Sequence, residues 1–238
     1  MYLQTIQSII GAIALMIAYV FATMLVGRAE AQAAVYAGDD TPAQAGFLSW
    51  DPLLFADFPG FLCVLFLGIG WGRQLPFNPH HVTGKHKKLS VFLVYMTQPL
   101  VSILLAFFAM IICIVLIGPG SLRFTSWGLT ENLQGVPFLE LSENYPHASS
   151  RLLICCTVLL ATIGFSMFNA VWTMINNGFH YLLFIGHEEG HDYMKHAEAL
   201  TFFGPLVALI LYSGILRYVM LKYLGVAALA VTKLLGVV

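Results

Sequence analysis

The residues best suited to chemistry are His187, Glu188, Glu189, Gly190 and His191. On a helix, His187 and His191 would lie one turn apart on one face. There they could hold a zinc ion, with Glu188 as general base on a metal-bound water and Asp192 or His196 as third ligand. The surroundings favour a solvated loop instead. Gly186 and Gly190 weaken a helix, and Glu188, Glu189, Asp192, Lys195 and Glu198 make the stretch polar. The pattern fixes only three positions, so chance matches are common. His80, His81 and His86 form a second group that could join a metal patch; the competing reading is interfacial histidines in a basic loop.

These residues must be positioned by membrane-embedded elements. Of 238 residues, 59% are hydrophobic and 10% charged, where a soluble domain carries about 25% charged. The composition predicts an integral membrane protein whose first partner is the lipid bilayer. A net charge of −1 argues against a nucleic-acid partner, which would need a basic face. Cys63, Cys113, Cys155 and Cys156 all lie in apolar runs and read as small buried hydrophobes rather than a disulfide framework.

The expected architecture is all-α and polytopic: a single membrane domain with about five to six transmembrane helices and re-entrant or extended segments. The first span covers residues 9–26 and ends at Arg28 and Glu30. The second, 53–72, follows an irregular membrane-surface piece. Further spans run over 91–117, over 152–185 with a break at 176–178, and over 199–217. Residues 219–238 form a span or an interfacial helix, and 119–150 a polar loop. The 176–178 break is Asn-Asn-Gly, read as turn chemistry. Asn169, Asn176 and Asn177 should point into the bundle, because unpaired amides facing lipid are costly. His180 is expected to bond Asn169, Asn176 or a freed carbonyl.

Between the second and third spans lies Gly70-Trp71-Gly72-Arg73-Gln74-Leu75-Pro76-Phe77-Asn78-Pro79-His80-His81, followed by Lys85-His86-Lys87-Lys88. Pro76 and Pro79 exclude a continuous helix and favour an extended, strand-like segment. The basic residues of 73–88 place this loop on the cytoplasmic side; Lys195 agrees if the spans alternate, whereas Arg28, Arg123 and Arg151 do not.

This stretch resembles the site-2 protease family of intramembrane zinc metalloproteases. One bacterial branch carries a Gly-Trp-x-Lys-Pro-Val-Pro-x-Asn-Pro piece, then a basic patch, then an apolar helix with Gly-Pro-x-x-Asn. Gly70 to Pro79, Lys85 to Lys88 and Gln98-Pro99-Leu100-Val101-Ser102 are similar to these in order, the last with Gly and Asn replaced. Upstream, Gly38 to Thr41, Asp51-Pro52 and Asp57 to Gly60 resemble further family pieces; downstream, Tyr193 to Pro205 and the span after it resemble the last helix.

The resemblance implies a site-2-protease-like fold in a bacterial inner membrane, and zinc held by two His of a His-Glu-x-x-His helix and a later Asp. Those positions fall here on Val26, Gly27 and Glu30 and on Asn177, with Phe55 where a further His is expected. None of the ligands is present. The implied function is that of a non-catalytic homologue with no cofactor, a binding or assembly subunit of a membrane complex that holds another membrane protein along Arg73, Leu75, Phe77 and Asn78. The alternatives are an active zinc protease built on His187, Glu188, His191 and His196, and a transporter or channel component suggested by the asparagines in a span.

Overall fold

The computed structural model describes residues 2–67, 70–118, 120, 141, 143–186, 222, 226, 229–233 and 236. Within them the chain forms α1 (Tyr2–Ala37), α2 (Thr41–Gln44), α3 (Pro52–Phe55), α4 (Phe58–Leu67), α5 (Lys87–Ile117) and α6 (Ser150–Gly186). Three helices are long and apolar enough to cross a membrane: Ile9–Ala37, Lys87–Ile117 and Ser150–Gly186. All three exceed the roughly 20 residues that a bilayer core requires.

Each long helix divides its faces. On α1, Ile9, Ile13, Ile17 and Phe21 are exposed at four-residue spacing, the face that lipid would cover. The buried side includes Ala14, Ala18 and Ala22, small side chains that let helices approach closely. On α5, Leu100, Ile103, Leu104 and Phe108 face outward while Ala106, Ala109, Met110 and Cys113 pack inward. Helix α6 is the central one, with 67% of its most apolar window buried against 33% for α5. The main core joins the three helices through Tyr19, Met110, Cys156, Phe165 and Trp172.

Three expectations need correction. The first helix does not end at Arg28 and Glu30. Both residues are compatible with a helix, and the Arg28 guanidinium bonds the Leu48 carbonyl and sits over the Trp50 ring, 4.2 Å from its centroid. The helix stops instead at Gly38, whose φ of +102° suits glycine. The Gly38 and Asp39 N–H groups turn back to the Val35 and Ala34 carbonyls (both 3.0 Å), a two-bond closure that satisfies the last turn.

Second, 53–72 is not one span. It divides into α3 and the ten-residue α4, which at 1.5 Å per residue is about half a bilayer core. Asp51 caps α3 by accepting from the Leu53 N–H (3.0 Å), and Asp57 caps the start of α4 through the Gly60 N–H (3.0 Å). Third, α6 runs unbroken through 176–178. The Asn176 and Asn177 side chains are directed into the bundle, so they do not compete with their own backbone.

Most of 119–150 and of 219–238, and all of 199–217, lie outside the described residues. No disulfide joins the four cysteines; Cys113 and Cys156 are buried as expected, whereas Cys63 is half-buried and Cys155 exposed.

The 70–72 segment lies directly on α4. A Cβ on Gly60 would collide with the Trp71 carbonyl, and one on Gly70 with the Gly60 carbonyl. The Tyr19 hydroxyl ties the same junction to α1. It accepts from the Asp57 N–H (2.9 Å) and lies 3.0 and 3.2 Å from the Asp57 and Trp71 carbonyls. Gly178, by contrast, is helical with open space around it. Gly60→Ala should therefore lower the melting temperature of the detergent-solubilised chain. Gly178→Ala should raise it, because glycine inside a helix costs about 0.5–1 kcal/mol relative to alanine. Equal responses would contradict the close approach at Gly60.

Candidate functional site

A row of polar residues runs along the buried face of α6: Thr162, Ser166, Asn169, Thr173, Asn176, Asn177 and His180. Apart from Asn177, which adjoins Asn176, their spacing alternates fours and threes, which keeps them on one helical face. In a membrane interior such groups need partners within the protein. The Asn169 Nδ2 donates to Ser102 Oγ on α5 (2.9 Å). Thr173 and Thr162 donate to the carbonyls four residues back, Asn169 and Val158 (2.7 and 2.8 Å).

Asn177 has the most specific task. Pro99 lies inside α5 and has no N–H, so it leaves the carbonyl four residues earlier without its helical donor. That carbonyl is Tyr95, and it accepts from Asn177 Nδ2 at 2.8 Å; the same amide lies 3.3 Å from Gln98 Oε1. An amide can donate here, whereas a carboxylate could not.

Beside this row is a narrow cleft lined by Thr23, Val26 and Gly27 of α1, Gly72, Arg73 and Gln74 of the loop, Gln98 of α5, and Asn169, Trp172, Thr173 and Asn176 of α6. Its volume of about 20 Å3 has room for a water, which needs roughly 10–15 Å3, and not for a drug-sized ligand. The Asn176 Oδ1 and Glu30 Oε2 are buried with no hydrogen-bond partner among the described residues. Glu30 itself is buried on α1, one turn beyond Val26. Gly27 is packed against Phe55: a Cβ at 27 would meet Phe55 Cδ1 at 2.5 Å.

Of the positions matching the protease pattern, Val26 and Gly27 line the cleft, Phe55 presses on Gly27, and Asn177 turns toward α5. The donor set does not fit zinc. A valine, a glycine and an asparagine committed to a carbonyl leave Glu30 as the one ionisable group, and zinc sites draw on three or four His, Cys or carboxylate ligands. Among the described residues no three His, Cys, Asp or Glu side chains form a metal-binding group. His187, Glu188, His191 and His196 lie outside the described residues.

The loop residues expected to hold a partner are partly engaged within the protein. Arg73 is exposed, but its N–H donates to the Phe55 carbonyl (2.8 Å), beside a single antiparallel bridge between Ala56 and Gly72. Leu75 packs against the small core cluster formed by Ala31, Phe47 and Phe55. Phe77 meets Tyr95 edge-on at 5.2 Å, and its N–H folds back to the Leu75 carbonyl (2.8 Å). The segment is thus extended but not a regular strand. His180 Nε2 lies 3.4 Å from Gln74 Nε2, and its ring stacks on Tyr95 at 6.1 Å.

Sequence reasoning missed the anchor of this loop, Asp39. Its carboxylate accepts from the Thr41 hydroxyl and N–H (2.5 and 3.1 Å), the Asn78 N–H (2.8 Å) and His81 Nδ1 (3.1 Å). The nearby signal was an Asp two residues before a Thr after a helix-ending Gly, a local Asx turn; the bonds to Asn78 and His81 had no local signal. Against protein families, curated proteins and solved structures, the chain finds no match.

Burial by itself would push the Asp39 carboxyl up, but bonds from the Thr41 hydroxyl, the Asn78 and Thr41 N–H groups and His81 hold it below its ordinary value. Its folded pKa therefore lies under the unfolded value of about 3.9. Its contribution to stability is complete above that value and drains as pH falls through the folded pKa. The melting-temperature gap between the native chain and Asp39→Asn should be widest above about pH 5 and narrow as pH falls below the unfolded value of about 3.9. A gap independent of pH would contradict this arrangement.

Proposed function

We propose that the chain is a non-catalytic relative of the site-2 proteases that acts by binding, as an assembly or structural subunit of a membrane complex. The observation that carries this reading is the contact between Gly27 and Phe55. The resemblance assigns the general base to one of these positions and a histidine to the other. Here one side chain is absent and the other is an aromatic ring that fills the vacated space. Asn177 supports the same reading, because its amide caps a backbone carbonyl, a task for a structural donor and not for a metal ligand.

In this reading the chain has the five to six spans of the family, resides in a bacterial inner membrane, and holds the 73–88 loop on the cytoplasmic side. A partner segment engages the extended loop at Arg73, Leu75, Phe77 and Asn78, with Arg73, Gln74 and Pro76 as the exposed entry points. Main-chain pairing to such an edge is a common way to hold an extended peptide. Asn78 and Phe77 are held in place for this by their own contacts to Asp39 and Tyr95.

Two measurements on the purified full chain test this. Zinc content should stay well below one ion per chain and be unchanged in His187→Ala. A photo-crosslinking residue in place of Arg73 should form one discrete adduct in native membranes, and the same residue in place of the outward-facing Leu104 should not. One zinc per chain that is lost in His187→Ala, together with peptide cleavage that is lost in Glu188→Gln, would establish the protease instead.

A further inference from the structure

The start of α5 combines two features that are ordinarily separate. Over residues 70–93 there are four cations, Arg73, Lys85, Lys87 and Lys88, and no Asp or Glu. Lys85 and Lys88 are exposed, whereas Lys87 is partly buried and donates its Nζ to the His80 carbonyl (2.9 Å), which fixes the loop against the helix start. The acidic groups of the neighbouring turn do not neutralise the patch: Asp39 is buried and bonded to His81, and Asp40 is the one exposed carboxylate there.

Directly below these lysines the helix surface becomes apolar. Leu89, Phe92 and Leu93 are 56%, 37% and 54% exposed, too much for a core and enough to accept a hydrocarbon chain. Lys88 stands one helical turn before Phe92 on the same face. Side chains on a helix lean toward its N-terminus, so Lys88 leans away from the apolar surface. A cationic rim above an outward apolar face has the charge order of an anionic lipid, with a phosphate at the rim and an acyl chain beneath it.

We propose that Lys85 and Lys88, with Leu89, Phe92 and Leu93 below them, form a binding site for one anionic phospholipid, which clamps the basic loop to the membrane surface. Lys87 is the positioning residue, because its Nζ is committed to the His80 carbonyl. The site is separate from the cleft and does not depend on the protease resemblance.

The test is native mass spectrometry of the full chain extracted from vesicles of equal phosphatidylglycerol and phosphatidylcholine. The native chain should retain phosphatidylglycerol preferentially. Each lysine near an anionic surface is worth roughly fivefold in binding, so Lys85→Gln with Lys88→Gln should reduce the preference by about thirtyfold at most. Lys85→Arg with Lys88→Arg should retain it. An unchanged lipid ratio in the glutamine pair would overturn the proposal. Displacement of the lipid by an equal concentration of glycerol phosphate would also overturn it, by showing a soluble-anion site.

Discussion

Pro99 creates the requirement around which the inner face of the bundle is arranged. A proline within a membrane helix frees the carbonyl four residues earlier, and hydrocarbon offers no water to bond it. The freed group is the Tyr95 carbonyl, and Asn177 of α6 supplies its donor at 2.8 Å. This bond links α6 to α5 beside their apolar core. On the same inner face Asn169 bonds Ser102 and His180 stacks on Tyr95. The price of leaving a buried carbonyl unmet is about 1–3 kcal/mol, enough to dictate which residue stands at 177.

The cleft follows from the same packing. Below the Tyr19–Phe165 contact, Thr23, Val26 and Gly27 of α1 and Asn169, Thr173 and Asn176 of α6 line the space between the helices, and the loop at Gly72 closes it. Phe55, brought over Gly27 by the short α3, removes the room that a side chain at 27 would need. What remains is a water-sized gap with an acceptor, Asn176 Oδ1, at its wall. The loop in turn depends on Asp39, which gathers Thr41, Asn78 and His81 at the end of α1.

The long apolar runs were legible because hydrophobic length is itself the membrane signal, and the three spanning helices lie where it places them. The boundaries were less legible. Arg28 reads as a terminus until Leu48 and Trp50 are brought to it from the following turn. Asn-Asn-Gly reads as a break because those residues favour turns in water. Inside the bundle the Asn177 amide is spent on a carbonyl of another helix, so the turn chemistry never operates. The clue available was Pro99 itself, since a proline inside a span announces a carbonyl in need of a donor. The 53–72 segment failed as a span for a related reason: Asp51 and Asp57 each cap a separate short helix, a division that mean hydropathy does not register.

Position 177 offers the most direct test of whether the residue there is a structural donor or a weakened metal ligand. The measurement is the melting temperature and zinc content of Asn177→Asp, alone and combined with Pro99→Ala. The carboxylate cannot donate to the Tyr95 carbonyl, so the single variant should lose stability without gaining zinc. Alanine at 99 restores a backbone N–H to that carbonyl, so the double variant should recover much of the loss. A stable Asn177→Asp chain that acquires one zinc ion, with no rescue from Pro99→Ala, would contradict the account.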